Sequence, residues 1–318
     1  MWIYDTQADG PPVEFHGEPL VTDELVIAGS DLREPGGVAH VYAFERTTGK
    51  VRWKDPVPIG VASDFARVGS RLFASTLEDR LICLELESGR PLWSFASGSS
   101  NEENAFTTSP VADGSRVYYA DLKGILHAFE PGSGKEIWRR DLGSRSTASP
   151  RLVGGKLYVG TLFMRLFRLD ANSGSVEAEL PLPDSPVWPI ASSGNLLFFF
   201  LRDEAIVAVD TALTKIQWSQ KGAAAWTSAR PYVWRDAVLA GDKEGRVLAF
   251  GAKDGALQFS SKFEGMIRGI GSSEDSLYIG TLKGTVYAWS PGGATRGRSP
   301  ASKETPGAER PSPERRHE

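Results

Sequence analysis

Short apolar runs separated by turns rich in Gly, Asp and Pro fill the chain up to residue 291, and no stretch sustains the 3.6-residue apolar spacing of a helix. The stretch Val117–Trp138, VYYADLKGILHAFEPGSGKEIW, is the clearest sample. An apolar run at Val117–Ala120 meets a tight turn at Asp121–Gly124, and a second run at Ile125–Phe129 meets a Gly-containing turn at Pro131–Lys135. A third run then ends at Trp138. Apolar runs bounded in this way predict strands joined as hairpins.

The unit recurs. Its first apolar run begins at Val26, Leu72, Val117, Leu157, Leu197, Val238 and Leu277, at intervals of about forty residues. The next run keeps the same beat at Val41, Leu81, Leu126, Leu166, Ile206, Val247 and Val286. A turn follows with Gly49, Gly89, Gly134, Gly174 or Gly255, where a left-handed backbone suits Gly. In the fifth copy the turn decays to Leu213-Thr214-Lys215. Four residues after the turn stands Trp53, Trp93, Trp138 or Trp218, with Phe259 in the sixth copy and Ala178 in the fourth. A further strand precedes each unit, opened by Pro19, Pro110, Pro150, Pro189 or Pro231, with Ala66 and Ile270 near that place in copies two and seven. Four short strands cannot bury both faces of one sheet, and stacking the sheets radially does so, which predicts an all-β, seven-bladed β-propeller of four-stranded antiparallel blades.

The seventh copy ends after Trp289 without its last strand. Trp2-Ile3-Tyr4 is the candidate to close that blade, with Trp2 at the repeat's Trp position, because an open edge invites aggregation. The propeller is thus expected over residues 1–291. The remaining segment, 292–318, has no Phe, Trp, Tyr or branched aliphatic residue and is expected to be disordered.

Composition narrows the function. The net charge of −4 does not fit a nucleic-acid binder. The longest apolar run, Leu196–Leu201, is too short to span a membrane. The first thirty residues hold no secretion-signal core, so either the protein is cytoplasmic or this chain lacks its natural leader. Cys83 is the single cysteine and sits in an apolar strand, as a small buried hydrophobe rather than a nucleophile. His16, His40, His127 and His317 show no metal-ligand spacing, and neither a nucleophile elbow nor a phosphate loop is present.

VYAFERTTGKVRW at 41–53, LICLELESGRPLW at 81–93 and LHAFEPGSGKEIW at 126–138 resemble the PQQ-like, tryptophan-docking repeat of quinoprotein dehydrogenases and their non-enzymatic relatives. The resemblance implies a propeller whose Trp side chains wedge between blades. In the dehydrogenases it implies an Asp base, a calcium site and, in many, a disulfide of adjacent cysteines, which one cysteine cannot form. No catalytic residue, cofactor or metal is therefore expected.

The repeat is similar to that of outer-membrane protein assembly lipoproteins. It implies a non-catalytic, monomeric scaffold with a protein partner in cell-envelope assembly, and a periplasmic or envelope location. A small-ligand or sensor propeller using the axial channel is the alternative, and a degenerate PQQ-dependent dehydrogenase the third. The rim loops are the expected docking surface, with Trp188, Trp226, Arg230 and Arg268 as its anchors. The runs at 107–109 and 146–149 place Thr107, Thr108 and Thr147 as candidate channel lining, with hydrogen bonding at strand entry as the other reading.

Overall fold

A computed structural model of the chain describes residues 2, 4, 13–15, 17–32, 38–98, 107–222, 225–226, 230–273, 275–283, 285–289 and 296–298. These residues form seven four-stranded antiparallel sheets arranged as a β-propeller, together with a two-stranded pairing of Val13–Glu14 with Asp31–Leu32. Blade three shows the plan. From the axis outward it runs Val111–Ala112, Val117–Ala120, Ile125–Phe129 and Glu136–Asp141. Val117–Ala120 is buried along its whole length, since both faces of a blade are covered by neighbours. The outer strand Glu136–Asp141 is mostly open to solvent.

The core is distributed between blades. One cluster joins Ile27, Val41 and Ala43 of blade one to Leu72, Ala74 and Ile82 of blade two. Equivalent clusters occupy the next five seams, up to blades six and seven, where Leu239 and Ala249 meet Leu277 and Ile279.

The tryptophans join these seams at their outer edge. The indole N–H of Trp53 donates to the carbonyl of Leu86 in the next blade at 2.9 Å. Trp93 reaches Pro131 at 3.0 Å, Trp138 reaches Ala171 at 3.1 Å and Trp218 reaches Ala252 at 2.9 Å. Each ring lies on the turn glycine of that next blade. A Cβ on Gly89 would stand 2.4 Å from Trp53 Cε3, and Gly89 has φ 73°. The glycine therefore serves two ends, a left-handed backbone and a floor for the indole.

The fourth blade departs from this plan. Ala178 offers no indole, and the carbonyl of Thr211 accepts from the Tyr158 hydroxyl at 2.8 Å and from Arg168 Nη1 at 3.2 Å instead. Leu213, at φ 59° in the turn that lacks the glycine, is buried in the same cluster against which Ala178 packs. A leucine in the turn thus accompanies the loss of the indole.

Closure of the ring corrects one expectation. The fourth strand of blade seven is Arg296–Arg298, paired with Val286–Trp289, and not residues 2–4, of which Trp2 and Tyr4 lie outside any strand. Ala288 pairs with Arg296 in the register that sets Ala43 against Trp53 and Ala128 against Trp138. Yet the indole of the seventh seam does come from Trp2, which donates to the carbonyl of Arg46 at 2.9 Å and lies on Gly49. Backbone pairing asks only for an extended segment, whereas docking asks for a tryptophan, so two distant segments share one repeat position. Tyr4 adds ring contacts to Phe44 at 4.9 Å and Tyr42 at 5.9 Å. The strand Arg296–Arg298 falls within the 292–318 segment expected to be disordered, and residues 299–318 lie outside the described residues.

Candidate functional site

Two regions stand apart from the repeat: the axial cavity and one apolar patch on a face. The cavity, of about 460 Å³, is walled by the entries of the inner strands. The residue just before each inner-strand proline is where the blades differ: Glu18, Ser109, Ser149, Trp188 and Arg230, with Asp64 at the entry of blade two. Four of them form a relay. The backbone N–H of Glu18 donates to Asp64 Oδ1 at 2.8 Å, that of Asp64 to Ser109 Oγ at 2.9 Å, and that of Ser109 to Ser149 Oγ at 2.9 Å. Each side chain thus ties its own blade to the one before it.

Arg230, placed by sequence among the rim anchors, instead reaches into the axis. Its guanidinium pairs with Glu18 of blade one, and Nη1 stands 3.7 Å from Asp64 Oδ2 of blade two. Burial lowers the Arg230 pKa and pushes the Asp64 carboxyl up to about 6. Arg151, on the inner strand of blade four, also lines the cavity, and burial lowers its pKa too. Sequence reasoning passed over it. Its signal was legible: Arg151 opposes Tyr158 at the register position that holds Leu20, Ala66, Val111, Ala191 and Tyr232 in other blades.

The threonines expected in the channel lie beside it. Thr107 Oγ1 donates to Ser75 Oγ at 2.8 Å, and Thr108 Oγ1 donates to the carbonyl of Ala120 at 2.5 Å. Thr147 is buried, and its hydroxyl has no hydrogen-bond partner among the described residues. It is the serines of the same runs, Ser109 and Ser149, that line the cavity.

The rim tryptophans separate. Trp226 is 7% exposed. Its indole N–H donates to the carbonyl of Glu204 at 2.7 Å, and its ring stacks on Phe200 at 5.6 Å. It packs the seam between blades five and six. Trp188 is 45% exposed and holds φ 65°, within a register shift between Val187 and Ala191. A bulge re-aims a side chain, here away from the core. Arg268 is exposed on the inner strand of blade seven, Ile267–Ser272.

The link that leads to Trp188 is joined to a turn that sequence reasoning did not single out. The turn of blade four carries Phe163, 65% exposed, and Met164, 46% exposed. The link that leads to Trp188 is bonded to this turn: Leu182 N donates to the Met164 carbonyl at 2.8 Å, and Ser185 Oγ to the Leu162 carbonyl at 2.7 Å. The other blades place Glu78, Lys123, Asp203, Glu244 or Lys283 where Phe163 stands. Gly124 and Gly245 take the left-handed position of Met164. A charged turn has become apolar in one blade alone.

Other polar clusters are internal. His127 Nδ1 lies 2.6 Å from Glu136 Oε1 and Nε2 lies 3.2 Å from Asp121 Oδ2, with the ring packed on Phe95 and Phe129. Burial pushes the Cys83 thiol up to about 12, so it stays protonated at neutral pH. The residues do not fit a quinone cofactor with calcium. The axial carboxylates Glu18 and Asp64 are engaged by Arg230, and Cys83 is buried between blades two and three. Among the described residues no group of three or more His, Cys, Asp and Glu is placed to hold a metal ion, and no helix is long and apolar enough to cross a membrane.

A family model described as "Outer membrane protein assembly factor BamB" matches residues 37–126 and 122–262. BamB of Burkholderia pseudomallei is 29% identical over 64% of this chain and 54% of its own length. BamB of Bordetella pertussis is 28% identical over 57% of this chain and 47% of its own length. The chain thus spans about half of these relatives. The crystal structure of BamB from Moraxella catarrhalis superposes with a TM-score of 0.72 at 18% identity, covering 87% of this chain and 83% of that one, which shows the shared fold. The matches run through the repeat described above, with its docking tryptophans and turn glycines, and this chain belongs to the BamB-like family of PQQ-repeat β-propellers.

Proposed function

We propose that this propeller is a non-catalytic scaffold that holds a protein partner on the face carrying Phe163, Met164 and Trp188. Its place is in the cell envelope, in the assembly of outer membrane proteins. The observation that carries the docking surface is Trp188. A tryptophan held 45% exposed on left-handed backbone costs about 1 kcal/mol or more of local strain, while much of its ring is left facing solvent. Trp and Met are enriched where proteins bind proteins, and an apolar side chain at a turn that is charged in other blades is suited to a partner rather than to water. The assembly role rests on the names of the relatives, which state it for those proteins.

The test is co-purification from the cell envelope of the full chain, of a Phe163→Glu/Trp188→Ala double variant, and of Arg268→Ala. The scaffold reading expects loss of outer-membrane assembly proteins from the double variant while that variant still folds and unfolds cooperatively. Capture of the same proteins by all three chains overturns it.

A further inference from the structure

We propose that the axial cavity is a carboxylate-binding site, with Arg151 as its anchor and the hydroxyls of Ser109 and Ser149 as its neutral donors. A guanidinium carries five N–H donors in a planar fork. Arg151 uses Nε and Nη2 on a single neutral acceptor, Ser192 Oγ, at 3.1 and 3.0 Å. No carboxylate lies within ion-pair distance of it among the described residues, whereas Arg230 in the same cavity engages both Glu18 and Asp64. Arg151 is thus a partly desolvated cation without a counter-charge, at a strand position held by an apolar residue in the neighbouring blades.

The serines complete the donor set. Ser109 and Ser149 are more than nine-tenths buried and line the cavity. Each hydroxyl oxygen already accepts a backbone N–H, from Asp64 and Ser109 respectively, and neither hydroxyl proton has an acceptor among the described residues. A hydroxyl that has accepted and has yet to donate is poised to meet an anion.

Charge selects the anion. Three guanidiniums line the cavity, Arg67, Arg151 and Arg230, against two carboxylates, Glu18 and Asp64, which leaves one positive charge to be matched. A carboxylate brings a single charge and two oxygens that suit the fork. A phosphate group brings a charge of up to about −2 and would leave the excess buried at a cost. The carboxylate could belong to a free small acid or to an acidic side chain inserted from a partner.

The test uses the full native chain. Phenylglyoxal modification of Arg151 is followed by mass spectrometry in glutarate, in its neutral analogue glutaramide, in inorganic phosphate and in the blocked peptide acetyl-Gly-Glu-Gly-amide. Melting temperature is read in parallel for the native chain and for Arg151→Gln. The expected result is that glutarate slows modification of Arg151 about tenfold or more at saturation, in keeping with charge-assisted hydrogen bonds. Glutarate also raises the melting temperature of the native chain and not of Arg151→Gln. Protection by glutarate alone identifies a free acid, and equal protection by the peptide identifies an acidic side chain. If neither carboxylate protects Arg151, or if glutaramide or phosphate protects as well as glutarate, the assignment is overturned. The modification readout needs no variant, so it decides the matter even if Arg151→Gln does not fold, and it is independent of docking at Trp188.

Discussion

Trp2 donates its indole N–H to the carbonyl of Arg46 at 2.9 Å, the same bond that Trp53 makes to Leu86 one blade further on. The seam between blades seven and one is therefore joined through a side chain from the start of the chain, although the outer strand of blade seven is Arg296–Arg298.

Replacing Trp2 with Ala should cost stability much as replacing Trp53 does. Both remove a partly buried indole and a docking hydrogen bond, about 2–4 kcal/mol in each case. Urea or thermal unfolding of the two variants checks this. A melting temperature unchanged in Trp2→Ala would show that Arg296–Arg298 closes the ring unaided.

Asp64 gives the axial cavity a pH signature. Burial raises its folded pKa to about 6, against about 3.9 in an unfolded chain. The folded state holds the proton more tightly, so the stability due to this group is fully present below about pH 4 and is lost as pH rises through 6. Glu18 and Arg230 face it, and Arg67 shares the same cavity. Asp64→Asn keeps a side-chain oxygen for the Glu18 N–H and removes the titration. Stability measured from pH 4 to 7 should fall by about 2 kcal/mol more in the native chain than in the variant. Parallel profiles would place the carboxyl in an ordinary aqueous setting.

The two rim tryptophans should behave as opposites. Trp226→Ala empties a seam lined by Phe200 and Phe250, and about 3 kcal/mol or more of stability should be lost. Trp188→Ala should cost clearly less than Trp226→Ala, about 1 kcal/mol, because its ring is 45% exposed where Trp226 is 7% exposed. Denaturant unfolding of both variants separates the roles. A large loss in Trp188→Ala would make it a structural residue.

The repeat itself was open to reading from sequence, because turn glycines, apolar runs and tryptophans recur at one spacing and each has a local physical cause. What periodicity could not give was the direction of side chains at strand entries. Trp188, Trp226 and Arg230 all lie at the entries of inner strands, yet one is half exposed, one packs into a seam and one reaches across the axis. Backbone φ and the neighbouring blade decide among these outcomes, and neither is written in local spacing. The outer strand of blade seven escaped notice because Arg296–Arg298 has no apolar pattern to mark it. Phe163 and Arg151 were legible in principle, as departures from their own repeat columns. Each is a single odd residue within an otherwise regular strand or turn, so no periodic signal marks it.

Site-specific photocrosslinking from position 163 tests the scaffold reading most directly. A photoreactive phenylalanine analogue in place of Phe163, in the full chain within a cell that has an outer membrane, should yield a covalent adduct with an outer-membrane assembly protein. The same probe at Lys135, in the exposed outer turn of blade three, should not. Adding Trp188→Ala should cut the adduct by about tenfold, as loss of an aromatic anchor does. No protein adduct from position 163, or an adduct of equal yield with and without Trp188, would contradict the account.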